Sequence, residues 1–226
     1  MARQNYTNRT GKLDSTSATT VYTVPDEKMA ILVGGNVFNA SNDTPTLDLD
    51  LTNASDTDFK LFSDTAFAAA ANYEIFALPI FMDEKEKIKL TASAADKFEY
   101  QLSIAEVDQG VNNKYINKMI DMNSTSKTTI YTVPDNRTAI IKAWYLCNYT
   151  DSSIGPQNYW YLANAAGTEF ELDYGSIAAD TTIILFTRSM VLQEKEAVKF
   201  TAKTADSLNV FMSILEMEKA GGSASE

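Results

Sequence analysis

The stretch TTVYTVPDEKMAI at 19–31 returns at 128–140 as TTIYTVPDNRTAI. The agreement extends well beyond it. STSATTVYTVPDEKMAILVGGNVFN (15–39) lies over STSKTTIYTVPDNRTAIIKAWYLCN (124–148) at a constant offset, and EKEKIKLTASAADKFEYQLSIAEVD (84–108) lies over EKEAVKFTAKTADSLNVFMSILEME (194–218). The offset grows by one between the two blocks, so the middle of the second copy carries one net extra residue. Even the leading segments match: NYTNR (5–9) and KYINK (114–118) align Tyr6 with Tyr115 and Asn8 with Asn117. Matched blocks in the same order at nearly the same spacing mark an internal duplication, and whatever one copy folds into the other must also adopt. The boundaries that follow are an N-terminal arm at 1–14, a first repeat at 15–109, a connecting arm at 110–123 and a second repeat at 124–219. GGSASE ends a tail at 220–226 whose linker-like composition predicts flexibility. Both arms are polar and are expected to lie extended across a neighbouring subunit.

Each copy reads as a series of short strands. TTVYTV alternates and then meets Pro25-Asp26, and proline, with no N–H to donate, belongs at a strand end. MAILVGGNVF follows as a central apolar strand, with Gly34-Gly35 marking a bulge or a close backbone approach. TPTLDLDLTN puts Leu47, Leu49 and Leu51 on one face and Asp48 and Asp50 on the other. YEIFALPIF is a strand whose Pro79 predicts an edge or a break. KIKLTAS and FEYQLSIAEV close the copy, and DEKEK (83–87) and QEKEA (193–197) are charged turns. FAAAANY (67–73) is the one stretch that suggests a helical turn. The spacing predicts seven or eight strands per copy, hence an all-β chain of two tandem antiparallel, jelly-roll-like β-sandwiches.

Composition narrows the function. Apolar residues make up 45% and aromatics 11%, enough to fill two cores, while the net charge of −11 argues against nucleic acid and anionic membrane as partners. Histidine is absent, which excludes Ser-His-Asp and Cys-His catalysis and any His-bound metal. The single cysteine, Cys147, excludes an intrachain disulfide and reads as a small core hydrophobe. MARQNYTNRTGKLDS has no apolar core of a secretory leader, so none is expected, and NYT (5–7) and NRT (8–10) are not read as glycosylation sites. No apolar run is long enough to span a bilayer as a helix.

The residues with chemical potential read mainly as structure. Asp48 and Asp50 offer too few oxygens for calcium and are expected to form a solvated strand face. Glu106 and Glu216 are matched by duplication rather than by a shared cleft, and are expected as rim carboxylates answering a cation or a backbone N–H. Ser15, Thr16 and Ser17, like Ser124, Thr125 and Ser126, have no base and read as strand-entry turns. No catalytic, cofactor or metal residue is assigned. The candidate contact residues are aromatic: Tyr6 and Tyr115 on the arms, and the cluster Trp144, Tyr149, Tyr159, Trp160 and Tyr161, with Tyr145 beside it. Core packing, a protein interface and stacking on sugar rings are all open to them.

The unit T-x-Y-T-V-P-x-x-x-x-A-I, with a following strand that ends in Asn39 or Asn148 and a last strand reading S-I-x-E, resembles accessory virion proteins of tailed bacteriophages, those of marine bacteria and cyanobacteria among them. The resemblance covers both copies. It implies a non-enzymatic virion structural protein, assembled in a bacterial cytoplasm, that decorates or stabilises a capsid or tail. Its partners would be a major capsid or tail/neck protein and further copies of itself. The alternative is a receptor- or glycan-binding module of a tail fibre or baseplate.

Overall fold

A computed structural model describes residues 4–108 and 113–219; the tail at 220–226 lies outside the described residues. All described elements are strands. The first repeat contains β1 (Gln4–Leu13), β2 (Thr19–Thr23), β3 (Lys28–Asn39), β4 (Thr46–Thr52), β5 (Asp58–Ala66), β6 (Asn72–Glu74), β7 (Ile80–Met82), β8 (Lys87–Ala92) and β9 (Phe98–Asp108). The second contains β10 (Asn113–Asp121), β11 (Thr128–Thr132), β12 (Arg137–Asn148), β13 (Ile154–Ala163), β14 (Glu169–Ile177), β15 (Thr181–Ile184), β16 (Met190–Leu192), β17 (Ala197–Thr201) and β18 (Leu208–Glu218).

Each repeat is a two-sheet antiparallel sandwich. In the first, a sheet ordered β1-β9-β3-β6, with β7 also on β3, faces a sheet ordered β2-β8-β4-β5. The second repeats this as β10-β18-β12-β15, with β16 on β12, over β11-β17-β13-β14. Except at the β4–β5 and β13–β14 hairpins and within the split β6/β7 and β15/β16, the chain crosses between sheets at each step, which is jelly-roll topology, present twice. The inward residues are those that alternation selects: Leu47, Leu49, Leu51, Ile88 and Leu90 are wholly buried in repeat 1, and Val198, Phe200, Val210 and Met212 in repeat 2.

Two local expectations change and a third is met. First, the segment at 4–13 is no arm: β1 pairs with β9 over its whole length, and β10 pairs with β18 in the same way. These strands are polar because they lie at a sheet edge with one face outward. Second, FAAAANY forms a tight turn, with Ala70 at φ 51°. The Phe67 and Ala68 carbonyls that a helix would use accept instead from the Asn39 side chain, at 3.1 and 3.0 Å. The break expected at Pro79 is present, between β6 and β7, and the second copy splits likewise into β15 and β16 with Ser189 in place of the proline.

The Gly34-Gly35 pair fulfils both of its readings. The β3–β9 register shifts between Leu32 and Gly34, and a Cβ on Gly35 would stand 2.8 Å from the Phe76 ring. The second copy has Trp144 at the place of Gly35, and there it is the indole that fills the core, 5.6 Å from Phe186. The Phe76 ring thus sits against the bare backbone of Gly35 in one copy, and in the other the Trp144 indole takes the space in front of Phe186.

Asn39 and Asn148 show why each copy ends this strand in asparagine. Both are wholly buried. Asn39 Nδ2 donates to three carbonyls, of Asp43, Phe67 and Ala68, while its Oδ1 accepts from Ser41 N and Oγ. Asn148 repeats the pattern with the carbonyls of Ser152, Ile177 and Ala178 and with Thr150 N and Oγ1. One side chain thereby satisfies the loops that lead out of the strand and those that return over it.

Candidate functional site

The repeats meet asymmetrically. The outer face of the five-stranded sheet of repeat 2 covers the open edge of repeat 1, formed by β5 and β7. Ala143, Tyr145 and Cys147 of β12 and Phe211 of β18 face away from their own core and join that of repeat 1. This outer face also satisfies edge backbone that would otherwise lack partners. Tyr145 Oη accepts from Leu78 N and donates to Leu78 O, both at 2.7 Å. Ser213 Oγ accepts from Phe81 N at 2.9 Å, Thr182 Oγ1 donates to Leu61 O, and Asn209 Nδ2 donates to Lys60 O at 3.4 Å. Phe81 meets Tyr115 edge to face, with centroids 5.0 Å apart. Burial pushes the Tyr145 hydroxyl up to about 12 and the Cys147 thiol up to about 11, so neither ionises near neutrality. Cys147 is buried as expected, though in the seam between repeats rather than inside its own sandwich.

Among the described residues, the duplicated counterparts of both surfaces have no covering element. Tyr6 occupies the place of Tyr115 and is 70% exposed; Phe38 occupies that of the buried Cys147. On the other side, β14 and β16 occupy the places of β5 and β7. The pairing of Leu162 with Phe170, against Leu51 with Phe59, sets the correspondence. Phe170 and Leu172 are open where Phe59 and Leu61 are buried, and Val191 is 56% exposed where Phe81 is 3%. Among the described residues the exposed large hydrophobics are Tyr6, Val33, Phe38, Phe170, Leu172 and Val191. The first three lie on the free face of repeat 1. The other three lie on the free edge of repeat 2.

The aromatic cluster divides. Trp144 and Trp160 are buried, packed edge to face with centroids 4.3 Å apart, and Trp160 stacks on Phe200; of the readings open to them both take core packing, and neither offers an exposed contact surface. Tyr149 is half-buried at the seam and donates to Asp121 at 3.0 Å. It lines a groove of 340 Å³ between the repeats with Asp50, Lys60, Asp121 and Asn209. Tyr159 and Tyr161 face outward, half-buried, with ring centroids 6.2 Å apart and Lys127 Nζ 3.7 Å from the Tyr161 ring. Tyr115 is half-buried against Phe81, and Tyr6 is open.

The carboxylates are also rearranged. Asp48 pairs with Lys60 at 2.6 Å, but Asp50 is buried rather than solvated, and burial pushes its carboxyl up to about 6. Glu106 and Glu216 accept from tyrosines, not from a cation: Tyr22 Oη donates to Glu106 at 3.2 Å and Tyr131 Oη to Glu216 at 2.7 Å. Burial foremost, with the adjacent carboxylate, holds both phenols well above their usual range. Ser15 and Ser124 cap strand-entry turns, each accepting a backbone N–H two residues on. No cluster of three or more Asp, Glu or Cys among the described residues is placed to hold a metal ion.

What sequence reasoning missed is the seam, although a signal was present. On the outer sheet face, Thr10, Asn36 and Gln101 of repeat 1 are replaced by Met119, Tyr145 and Phe211 of repeat 2. A face that turns from polar to apolar between copies is a face that acquires a partner in one of them.

Distant likenesses to solved structures span nearly the whole chain. The STIV MCP matches at 8% identity and a TM-score of 0.37, over 96% of this chain and 97% of that one. The major capsid protein P2 from Bacteriophage PM2 matches at 9% and 0.34, over 98% and 100%. A structure of PNGF-II matches at 10% and 0.40, over 98% of this chain and 66% of that one. No protein-family model matches the sequence, and no curated protein does. At such identities and TM-scores the likenesses carry nothing about ligands or partners.

Proposed function

We propose that this chain is a virion structural protein that works through protein–protein contacts, and that its copies join head to tail by repeating the contact already made between its two repeats. The observation that carries this is the placement of the exposed hydrophobics on one free face and one free edge, the duplicated counterparts of a buried face and a buried edge. Covering a side chain such as Phe170 or Val191 contributes about 1.5–3 kcal/mol. A contact between unlike surfaces is heterologous, and it closes into a ring when the rotation between units allows. In such a ring every repeat meets its neighbours in the same way, whether the neighbour belongs to the same chain or the next. Decoration or stabilisation of a capsid or tail is the role such a unit fits, with a major capsid or tail/neck protein as its further partner.

Quantitative mass spectrometry of purified phage particles tests the virion assignment. The chain is expected in many copies per particle. A count near that of the main shell protein supports a place on the head, and a smaller ring-sized count supports one on the tail or neck. Absence from the particle overturns the assignment.

A further inference from the structure

The turn between β7 and β8 carries Glu86, a carboxyl that is only 6% exposed. Its Oε2 accepts from the Asp83 backbone N–H at 2.9 Å and from Asn117 Nδ2 at 3.0 Å. Asn117 stands on β10, so the second hydrogen bond crosses the seam between repeats. Asn117 Oδ1 is buried and receives no donor. A carboxylate leaves that carbonyl orphaned, at the cost of a lost hydrogen bond. A carboxylic acid does not, because acid and primary amide each present one donor beside one acceptor. A proton on Glu86 would complete a ring of two hydrogen bonds.

The surroundings favour that proton. Burial, above all, pushes the Glu86 carboxyl up to about 7; the hydrogen bonds from Asn117 and Asp83 act the other way, and the Asp83 charge adds to the rise. Burial raises Asp83 as well, opposed by Lys114 and Lys118 of β10 and by the Asn117 backbone N–H. The other charges of the turn are engaged outward: Lys85 with Glu84 at 3.0 Å and with Asp26 at 3.8 Å, and Lys87 with Asp56. Among the described residues Glu86 has no ion pair.

Repeat 2 holds the same parts unassembled. Glu196 closes the equivalent turn by accepting from Gln193 N at 2.8 Å. Asn8, the counterpart of Asn117, is exposed on β1 and accepts from Gln101 Nε2 at 3.0 Å. These two lie on the free edge and the free face respectively.

We infer that Glu86 is held as a neutral carboxylic acid paired with Asn117 through two hydrogen bonds, so that a proton latches the contact between repeats, and that Glu196 and Asn8 close the same latch between docked copies. The second half rests on the head-to-tail reading; the first half does not. The sign follows from the raised affinity for the proton in the folded state. Stability from the latch is complete below the unfolded value of 4.5 and is lost as pH rises through about 7.

Thermal unfolding of the whole chain between about pH 5 and about pH 8 tests the first half. The midpoint of the unmutated chain is expected to fall with rising pH by several degrees more than that of Glu86→Gln, whose amide keeps both hydrogen bonds at every pH. Asp50 and Asp83, both raised by burial, act with the same sign in both proteins, so the excess slope of the unmutated chain belongs to Glu86 and its coupling to Asp83. Equal slopes overturn the latch. Should Glu86→Gln not fold, carboxyl ¹³C NMR of the unmutated chain decides: a glutamate titrating near 7 supports the latch, and its absence overturns it. Sedimentation of the unmutated chain and of Glu196→Gln over the same range tests the second half. Association that weakens with pH only in the unmutated chain supports it, and pH-independent association overturns it. No association at any pH overturns the head-to-tail reading together with the intermolecular latch, and leaves the intrachain latch to the melting result.

Discussion

Trp144→Ala is expected to destabilise repeat 2 by about 4 kcal/mol, the range for removing a large buried aromatic. Trp144 has no solvent exposure and packs edge to face on Trp160, whose other side stacks on Phe200 at 3.9 Å. Its neighbours Trp160, Phe200 and Met212 are themselves buried, so the space has little freedom to collapse. In repeat 1 the equivalent position is Gly35, and the Phe76 ring lies directly over it; in repeat 2 Phe186 stands 5.6 Å from the indole and does not replace it. Trp144 Nε1 has no hydrogen-bond partner, so no polar interaction is lost with the ring. The cost is therefore one of packing, and Trp144→Phe is expected to be much milder. Denaturant unfolding followed in repeat 2 measures both. A loss below about 1 kcal/mol for the alanine variant is inconsistent with this packing.

Asn148→Ala is expected to cost about 3 kcal/mol or more, and Asn39→Ala a similar amount in its own repeat. Each replacement strands three carbonyls and a backbone N–H in a site that excludes water. Asn148→Asp is expected to be worse than alanine, although it is nearly isosteric. Its carboxylate would face the carbonyls of Ser152, Ile177 and Ala178 with no proton to give them. The order of unfolding midpoints, unmutated above Ala above Asp, checks this. An aspartate variant as stable as the native chain would show that these carbonyls do not depend on the Asn148 amide.

The duplicated motif made the fold legible. Alternation in TLDLDLT, the turn at Pro25-Asp26 and the break at Pro79 each correspond to a feature of the jelly roll. Both asparagines were visible as strand-end markers, but nothing local tells that one amide will serve two loops far apart in sequence. The aromatic cluster could be located but not sorted. Period-two alternation separates two faces without saying which is the core, and Trp144 and Tyr145 are adjacent residues that serve different cores. The polar leading segments read as arms because an edge strand with an outward polar face has the same composition as an extended tail. Asp50 reads as solvated because its burial depends on chain distant in sequence, including Tyr149 and Asn209 across the seam groove. In each case the missing information is tertiary: which sheet face another repeat covers.

Head-to-tail association is most directly tested with cysteines at the two exposed counterparts of Tyr115 and Phe81. One chain carries Tyr6→Cys and another Val191→Cys, and they are mixed with a short thiol cross-linker. Cys147 is buried and does not compete. A chain with Tyr115→Cys and Phe81→Cys is the positive control, since those rings already touch within one molecule. The expected result is linkage between the two different variants and none within either variant alone. Linkage of one variant to itself, or no linkage where the control reacts, would contradict the head-to-tail arrangement.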